Sequence, residues 1–569
     1  MAQNVSPGVY TKIIDLSEYV RSVPSTIGYI PVITEKGPDN ELIFTNSRDY
    51  YVDFGEPNIS YASKIFGQGP YVASSFLRES DALYTVRVLP DDADYANLIL
   101  NAEASGGFGV DGTSTVIATS NVGVNTLNEI DTILEGTNPC IVFRGVGRGE
   151  YYNEYQINLA QHSNPQLGDP TIVGTDVVYV LDIYQRQAED DEEGAPQYEI
   201  ITSYNVSFNP SKLDSSSESM FIGDVVNRYN RFLKVVADED KCAAAVINGA
   251  DFSQPFTTPV NLAEGSSGSL FDVNGAIDST VATQLLSKAY NGTLSKPKLD
   301  TQGNPMYVYE ILDTDNVYIT IVMDGGYPTD VKTSGIQSLV QARKDCVALV
   351  DNGDNVSSAL ALSARQNTHT FNTRYMALYE SYSKVFDSYT GKDLWLTPIY
   401  HMANIVPYTD NVSELWYAPA GFNRATIASI KELRYSPLIS ERDQFYLNQI
   451  NPIVKFNVGY TVYGQLTTQK RPTALQDLNI VRLVLYIKRA LEQFCKFYVF
   501  EQNDSTTWSA ISQQISRFLR VIQNKRGLYS FSVDVGATDY ELKAKQIHAN
   551  VTLDPTRVVE QIHLNFFIK

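Results

Sequence analysis

The sequence predicts an α/β and α+β multidomain protein: an α/β platform interrupted by β-rich insertions, a basic α+β C-terminal inner domain, and extended strand arms at both termini. Three observations predict it. Strand–helix–strand alternation runs through two separated stretches, and repeats of that length favour a parallel, doubly wound layer. Between them lie short strand-like segments divided by Gly, Asn and Asp. Charge is segregated: Arg424–Arg526 holds fifteen Lys/Arg against seven Asp/Glu, a local +8 that leaves −29 on the remainder of a chain at −21.

A chain of 569 residues exceeds what one hydrophobic core can hold. The expected divisions are an N-terminal arm (1–22), a first part of the platform (23–100), an inserted β-rich outer domain (101–208), a second inserted domain (209–305), a second part of the platform (306–423), an inner domain (424–545) and a C-terminal strand arm (546–569). In order, "GVYTKII" is a short strand bearing Val9, Tyr10 and Ile13, and "TIGYIPVI" and "ALYTVRVL" are strands. "YASKIFGQGPYVASSFLRES" is helical in parts. "TSTVIATSNV", "CIVFRGV", "DVVYVLDIY" and "YEIITSYNVSF" make the β-rich insertion, with the acidic run 189–194 as a solvated hairpin tip. "MFIGDVVNRYNRFLKVV" is one helix of the next segment. The platform returns with "VYITIVMDGG", "GIQSLVQARKD", "CVALVD", "NVSSALALSARQN" and "RYMALYES", read as strand, helix, strand, helix, strand.

Several function classes are excluded or disfavoured. No stretch approaches eighteen consecutive apolar residues, so no membrane span is expected, and the start has no secretory pattern. Cys140, Cys242, Cys346 and Cys495 lie far apart, with neither disulfide nor zinc spacing. The acidic balance disfavours a nucleic-acid surface. "GFGVDG" (107–112) satisfies G-x-G-x-x-G, but a strand-like "TSTVIATS" follows where a dinucleotide site needs a helix. No G-x-x-x-x-G-K-[ST] and no G-x-S-x-G occur, and His162, His369, His401, His548 and His563 are isolated. No cofactor, metal or catalytic set is expected; an α/β hydrolase-like enzyme is the distant alternative.

Two features call for a partner. The chain closes on "VVEQIHLNFFIK", with Ile562, Leu564, Phe566 and Ile568 on one face of a strand, an apolar edge that soluble proteins usually blunt. In "ALQDLNIVRLVLYIKRALEQFCKFYVF", Leu478, Val481, Leu485 and Tyr498 form an apolar stripe, while Arg482, Arg489 and Lys496 recur every seven residues and share a face. A second helix, "WSAISQQISRFLRVIQNKRG", buries Ile511, Ile515, Phe518, Leu519 and Ile522, presents Arg517 and Arg520, and stops at Gly527.

"LWYAPAGFNRATI" (415–427), the stretch from "NQINPIVKFNVGYTVYGQLT" through "DLNIVRLVLYIKRAL", and "FEQNDSTTW" (500–508) resemble the core of contractile tail sheath proteins. That family shows W-x-A-P-A-G-x-x-R-G, N-P-I…G…V-x-G-Q-x-T, an N-V-R-R-L helix and F-E-x-N-D-x-x-T-W. "SPGVYTKI", "EKGPDN", "SRDYYVDFG" and "ALYTVRVLP" are similar to its amino-terminal pieces, so the resemblance covers about 6–90 and 325–569. Ala425 replaces a Gly, and Ile480–Val481 loosens the helix motif. The resemblance implies a non-catalytic, subtilisin-like α/β platform and a subunit that assembles with itself as stacked hexameric rings around a tail tube protein. It implies baseplate and tail terminator partners, no direct nucleic acid and no membrane insertion. It also implies a place in the virion tail after assembly in the host cytoplasm; the sheath of a headless injection system is the alternative. The terminal strands carrying Val9, Tyr10, Ile13, Ile562, Leu564, Phe566 and Ile568 are then arms lent to neighbours. Arg482, Arg489, Lys496, Arg517 and Arg520 become a tube-facing basic stripe.

Overall fold

In the computed structural model, which describes residues 26–57, 66–104, 115–162, 177–187, 195–271, 276–294 and 311–560, the apolar run "GYIPV" forms β1 (Gly28–Val32), buried along its whole length. Alternate side chains part to opposite faces: Ile30 and Val32 join one core, Tyr29 and Ile33 the other. Next come β2 (Ile43–Thr45), α1 (Ser47–Phe54), α2 (Gly69–Phe76) and β3 (Leu83–Arg87). Helix α1 opens on Asn46, whose side-chain oxygen accepts from the Asp49 amide at 2.9 Å.

The chain then leaves the platform. It forms β4 (Asn97–Ala104), β5 (Thr115–Ser120), α3 (Leu127–Glu135), β6 (Pro139–Gly145), β7 (Tyr155–Gln161), β8 (Tyr179–Arg186) and β9 (Tyr198–Val206). After these come α4 (Ile222–Tyr229), β10 (Leu233–Ala237), α5 (Glu239–Ile247) and β11 (Val260–Asn261). The expected single helix at 220–236 is a helix followed by a strand, with the change of direction at Asn230, whose side chain accepts from the Phe232 and Leu233 amides. Two four-stranded sheets result, ordered β10-β6-β4-β5 and β11-β7-β8-β9. Both cross the expected division at 208/209, and one apolar cluster runs from Ala96 to Leu262. The two expected insertions are therefore one inserted unit. Its ends meet: Asp94 and Ser266 exchange backbone hydrogen bonds, as do Asn97 and Ala263.

Helix α6 (Ser279–Asn291), expected within the second insertion, packs Leu285, Leu286 and Tyr290 into the platform core instead. The platform resumes with β12 (Ile321–Met323), a π turn (331–337) running into α7 (Ser338–Arg343), β13 (Val347–Asp351) and α8 (Ser358–Ser363). There follow a second π turn (364–368), β14 (Met376–Glu380), β15 (Ser383–Phe386), β16 (Asp393–Leu396) and α9 (Pro398–Val412). Last come β17 (Thr426–Ile427), β18 (Ile430–Leu433), α10 (Ile439–Leu447), β19 (Ile450–Phe456) and β20 (Gly459–Val462). The nine-stranded sheet runs β17-β20-β19-β14-β13-β12-β1-β3-β2, and every pairing from β19 to β3 is parallel. Near-continuous apolar strands such as "VALVD" and "MALYE" suit a parallel layer covered on both faces. Because β17, β19 and β20 complete this sheet, the platform runs past the boundary expected at 424.

The C-terminal module comprises α11 (Leu478–Lys496), α12 (Ser505–Asn524), β21 (Leu528–Gly536), α13 (Asp539–Lys543) and β22 (His548–Pro555). Helix α11 belongs to two cores: Leu478 and Val481 pack with the platform, Leu483 and Ile487 with α12. The turn after α12 puts Arg526 at φ +66°, with Gly527 so close to Ile522 that a Cβ would sit 2.5 Å from its methyl.

Candidate functional site

Among the described residues a cluster of buried charges lies at the carboxyl ends of β12, β13 and β14, the edge where open α/β sheets take ligands. Here the edge is closed by the protein itself. The ammonium of Lys332, from the first π turn, pairs with Asp351 and lies 3.3 Å from Asp324, all three side chains being buried. Thr397 and Tyr382 donate to Asp351 at 2.8 and 3.1 Å. Burial raises Asp324 to about 6, while at Asp351 the Lys332 charge and these donors overcome burial and hold the carboxyl low. Glu380 accepts from Asn352 at 2.7 Å and is pushed by burial to about 7. His369 lies 3.0 Å from Asn352, and burial together with Lys332 depresses it to about 4.

A serine–histidine contact exists as well, with Ser383 Oγ 2.7 Å from His401 Nε2. Both residues are buried, and burial followed by the Arg78 charge lowers His401 to about 3, so it is neutral. Among the described residues no carboxylate orients this imidazole, as nucleophilic catalysis requires. The contact is a packing feature.

The three cations expected to share a face of α11 do share one, but that face meets the platform. Arg482 is buried against Asp410, which also accepts from Thr26. Arg489 donates to the Thr314 carbonyl at 2.7 Å and lies 5.1 Å over the Tyr318 ring. Lys496 reaches Asp315 at 2.6 Å, both side chains exposed. The expected stripe is therefore corrected: Arg482 and Arg489 are inward anchors, while Arg517 and Arg520 stay exposed on α12. Val9, Tyr10, Ile13, Ile562, Leu564, Phe566 and Ile568 lie outside the described residues, as do 107–112 and 189–194.

A hairpin escaped the sequence reading. Strands β21 and β22 pair antiparallel as a two-stranded sheet, with Phe531 opposite Leu553 and Val533 opposite Val551. These apolar positions pack on α12, and Ser530, Ser532 and Asp534 fall between them. The alternation in "LYSFSVDVG" was the available signal.

Three of the motif segments, around Trp416–Arg424, Ile450–Leu466 and Asn479, meet at a cleft of about 780 Å³ between α10, the loop after β20, Trp416–Gly421 and residues 556–560, while 500–508 and the described amino-terminal pieces lie elsewhere. Most motif side chains are spent inside the chain. Asn451 donates to the Leu378 and Leu466 carbonyls and accepts from the Leu466 amide at 2.7 Å. The Trp416 indole donates to the Lys525 carbonyl. Gln465 differs: it is 4% exposed, lines the cleft, and neither its side-chain nitrogen nor its oxygen has a partner. The Asn479 side-chain oxygen beside it is equally unpartnered.

Residues 470–569 match the family described as the phage tail sheath C-terminal domain, which bears out the resemblance read from the motifs. The chain is similar to the tail sheath protein of Vibrio phage KVP40, 27% identical over 284 residues that cover 45% of this chain and 42% of that protein. It is 25% identical to the tail sheath protein of Enterobacteria phage T4 over 303 residues, 48% and 46% of the two chains. The chain thus spans less than half the length of these curated relatives. In fold it is similar to a sheath tail protein from Listeria innocua, at a TM-score of 0.54 and 10% identity over 94% of this chain and 92% of that one.

Proposed function

We propose that the chain is a structural subunit of a contractile tail sheath, polymerising around a tail tube and contracting to drive it through a host envelope for genome ejection. The observation that carries this reading is the match of residues 470–569 to the phage tail sheath C-terminal domain. The two-core helix α11 supports it, because a subunit that repacks against its neighbours while keeping its own shape needs its parts joined rigidly. Copies stack as hexameric rings bounded by baseplate and terminator proteins, assembling in the host cytoplasm and ending in the virion tail. Contraction draws on repacked subunit contacts, and the role is structural. The hairpin β21–β22 has two strands, fewer than a stable sheet usually needs, and strands lent by neighbours, from the segments of Val9–Ile13 and Ile562–Ile568, extend it. The tube contact falls to the exposed Arg517 and Arg520, whose pairs are worth about 0–1 kcal/mol each and release easily.

Sedimentation tests this. Removing Val558–Lys569 yields folded monomers that no longer pellet as polymer, whereas an unfolded product assigns that strand to its own domain. Charge reversal at Arg517 and Arg520 spares self-polymerisation and lowers capture by the tube protein; unchanged capture in low salt rejects the tube contact.

A further inference from the structure

We propose that the loop 145–150 and Arg87 form a latch that fixes the inserted unit on the platform, so that the two turn as one body within a single chain. The neck alone would let the unit swing. It joins the platform through two chain crossings, paired at Asp94–Ser266 and Asn97–Ala263, and relative motion is the ordinary behaviour of units joined so sparingly. The loop after β6 adds a third attachment, distant in sequence from both crossings. Arg148, 1% exposed, donates from its amide and from Nε to the two carboxylate oxygens of Asp39, each at 2.8 Å. Its guanidinium also reaches the Asp91 and Ala93 carbonyls at 3.3 Å. Asp39 belongs to the platform and its side chain is buried as well, so neither charge can turn to water if the loops part.

A second guanidinium ties the two loops together. Arg87, the last residue of β3, donates to the Thr34, Glu35 and Gly37 carbonyls of the platform loop at 2.8, 2.9 and 3.0 Å. It donates to the Arg148 carbonyl of the inserted unit at 2.7 Å. The backbones themselves touch: a Cβ on Gly147 would sit 2.1 Å from the Gly37 oxygen, so only glycine allows this approach. The Gly37 amide in turn donates to the Tyr152 hydroxyl at 2.9 Å. Because β3 lies inside the nine-stranded sheet, a load on the inserted unit passes through Arg148 and Arg87 into that sheet instead of bending the neck. Farther out, Arg231 meets Asp49 at 2.8 Å and Asp53 at 3.4 Å. Arg231 is half exposed, so solvent screens this pair, and it trims an orientation that the latch sets.

Spin labels on the full chain, diluted to the monomer, test the latch. The labels go on Ile247→Cys, at the end of α5 in the inserted unit, and Val412→Cys, at the end of α9 in the platform, positions 73% and 54% exposed. Cys495→Ser removes the one native cysteine that is not buried. Pulsed electron paramagnetic resonance should give one narrow distance for this parent and for Arg231→Gln. Arg148→Gln should spread it into a broad distribution while circular dichroism shows the fold retained. Gly147→Ala, which forces the loops apart and leaves every charge in place, should broaden it too. A broad distribution in the parent, equal broadening in R231Q, or a narrow one in R148Q (or in G147A, should R148Q fail to fold) overturns the latch.

Discussion

At the level of single residues, the buried edge of the sheet makes a pH signature. Glu380 has its carboxyl raised by burial from 4.5 to about 7, so the folded state binds a proton the unfolded chain has released. Its contribution to stability is fully present below pH 4.5 and is lost as pH rises through 7, about 3 kcal/mol in all at 1.36 kcal/mol per unit. The depressed histidines act oppositely: His369, at about 4, is neutral in the fold and costs stability as pH falls below 6.5. The two trends offset in the wild type, so the test is a difference. Glu380→Gln should gain on the wild type by about 2.5 kcal/mol between pH 5 and pH 8 in urea unfolding. No gain would mean that the carboxylate is ionised and solvated. The sequence concealed this cluster because Asp324, Lys332, Asp351, His369 and Glu380 come from separate elements that only the parallel strand order brings together.

At the level of elements, spacing was legible and partners were not. The seven-residue interval placed Arg482, Arg489 and Lys496 on one face of α11, yet periodicity cannot say whether a face meets water, another molecule or its own domain. The structure supplies Asp410, Thr314 and Asp315. The cost of losing each cation should follow burial. Arg482→Met leaves Asp410 buried without its counter-charge and should cost about 3–5 kcal/mol, whereas Lys496→Ala, at an exposed pair, should cost about 0–1. Equal costs in chemical unfolding would show that α11 is not anchored through its buried end. The apolar stripe on the same helix was correctly read at Leu478 and Val481. The hairpin was missed although its period-two pattern was present. The parallel layer, by contrast, followed from the α/β rhythm, and "GYIPV", "VALVD" and "MALYE" are apolar enough for a layer covered on both faces, although the order of its strands was not legible.

At the level of the whole molecule, texture revealed that something is inserted but not where its neck lies. Strand pairing across residues 208 and 209 is long-range, and no local signal marks that β10 returns to β6. The neck at Asp94–Ser266 and Asn97–Ala263 makes a clean cut available. Replacing residues 95–265 by a short linker should leave a soluble platform able to assemble, while deleting 101–208 should give insoluble chain, since it strips β6 from β10 and β7 from β11. Soluble, assembling protein from the second deletion would contradict a single inserted core. The central claim, that this is a sheath subunit, is tested most directly by cryo-electron microscopy of the purified full chain at high concentration. The account predicts hollow helical tubes or stacked rings with residues 470–560 toward the bore and the inserted unit outward. Dispersed monomers, or tubes with the inserted unit lining the bore, would contradict it.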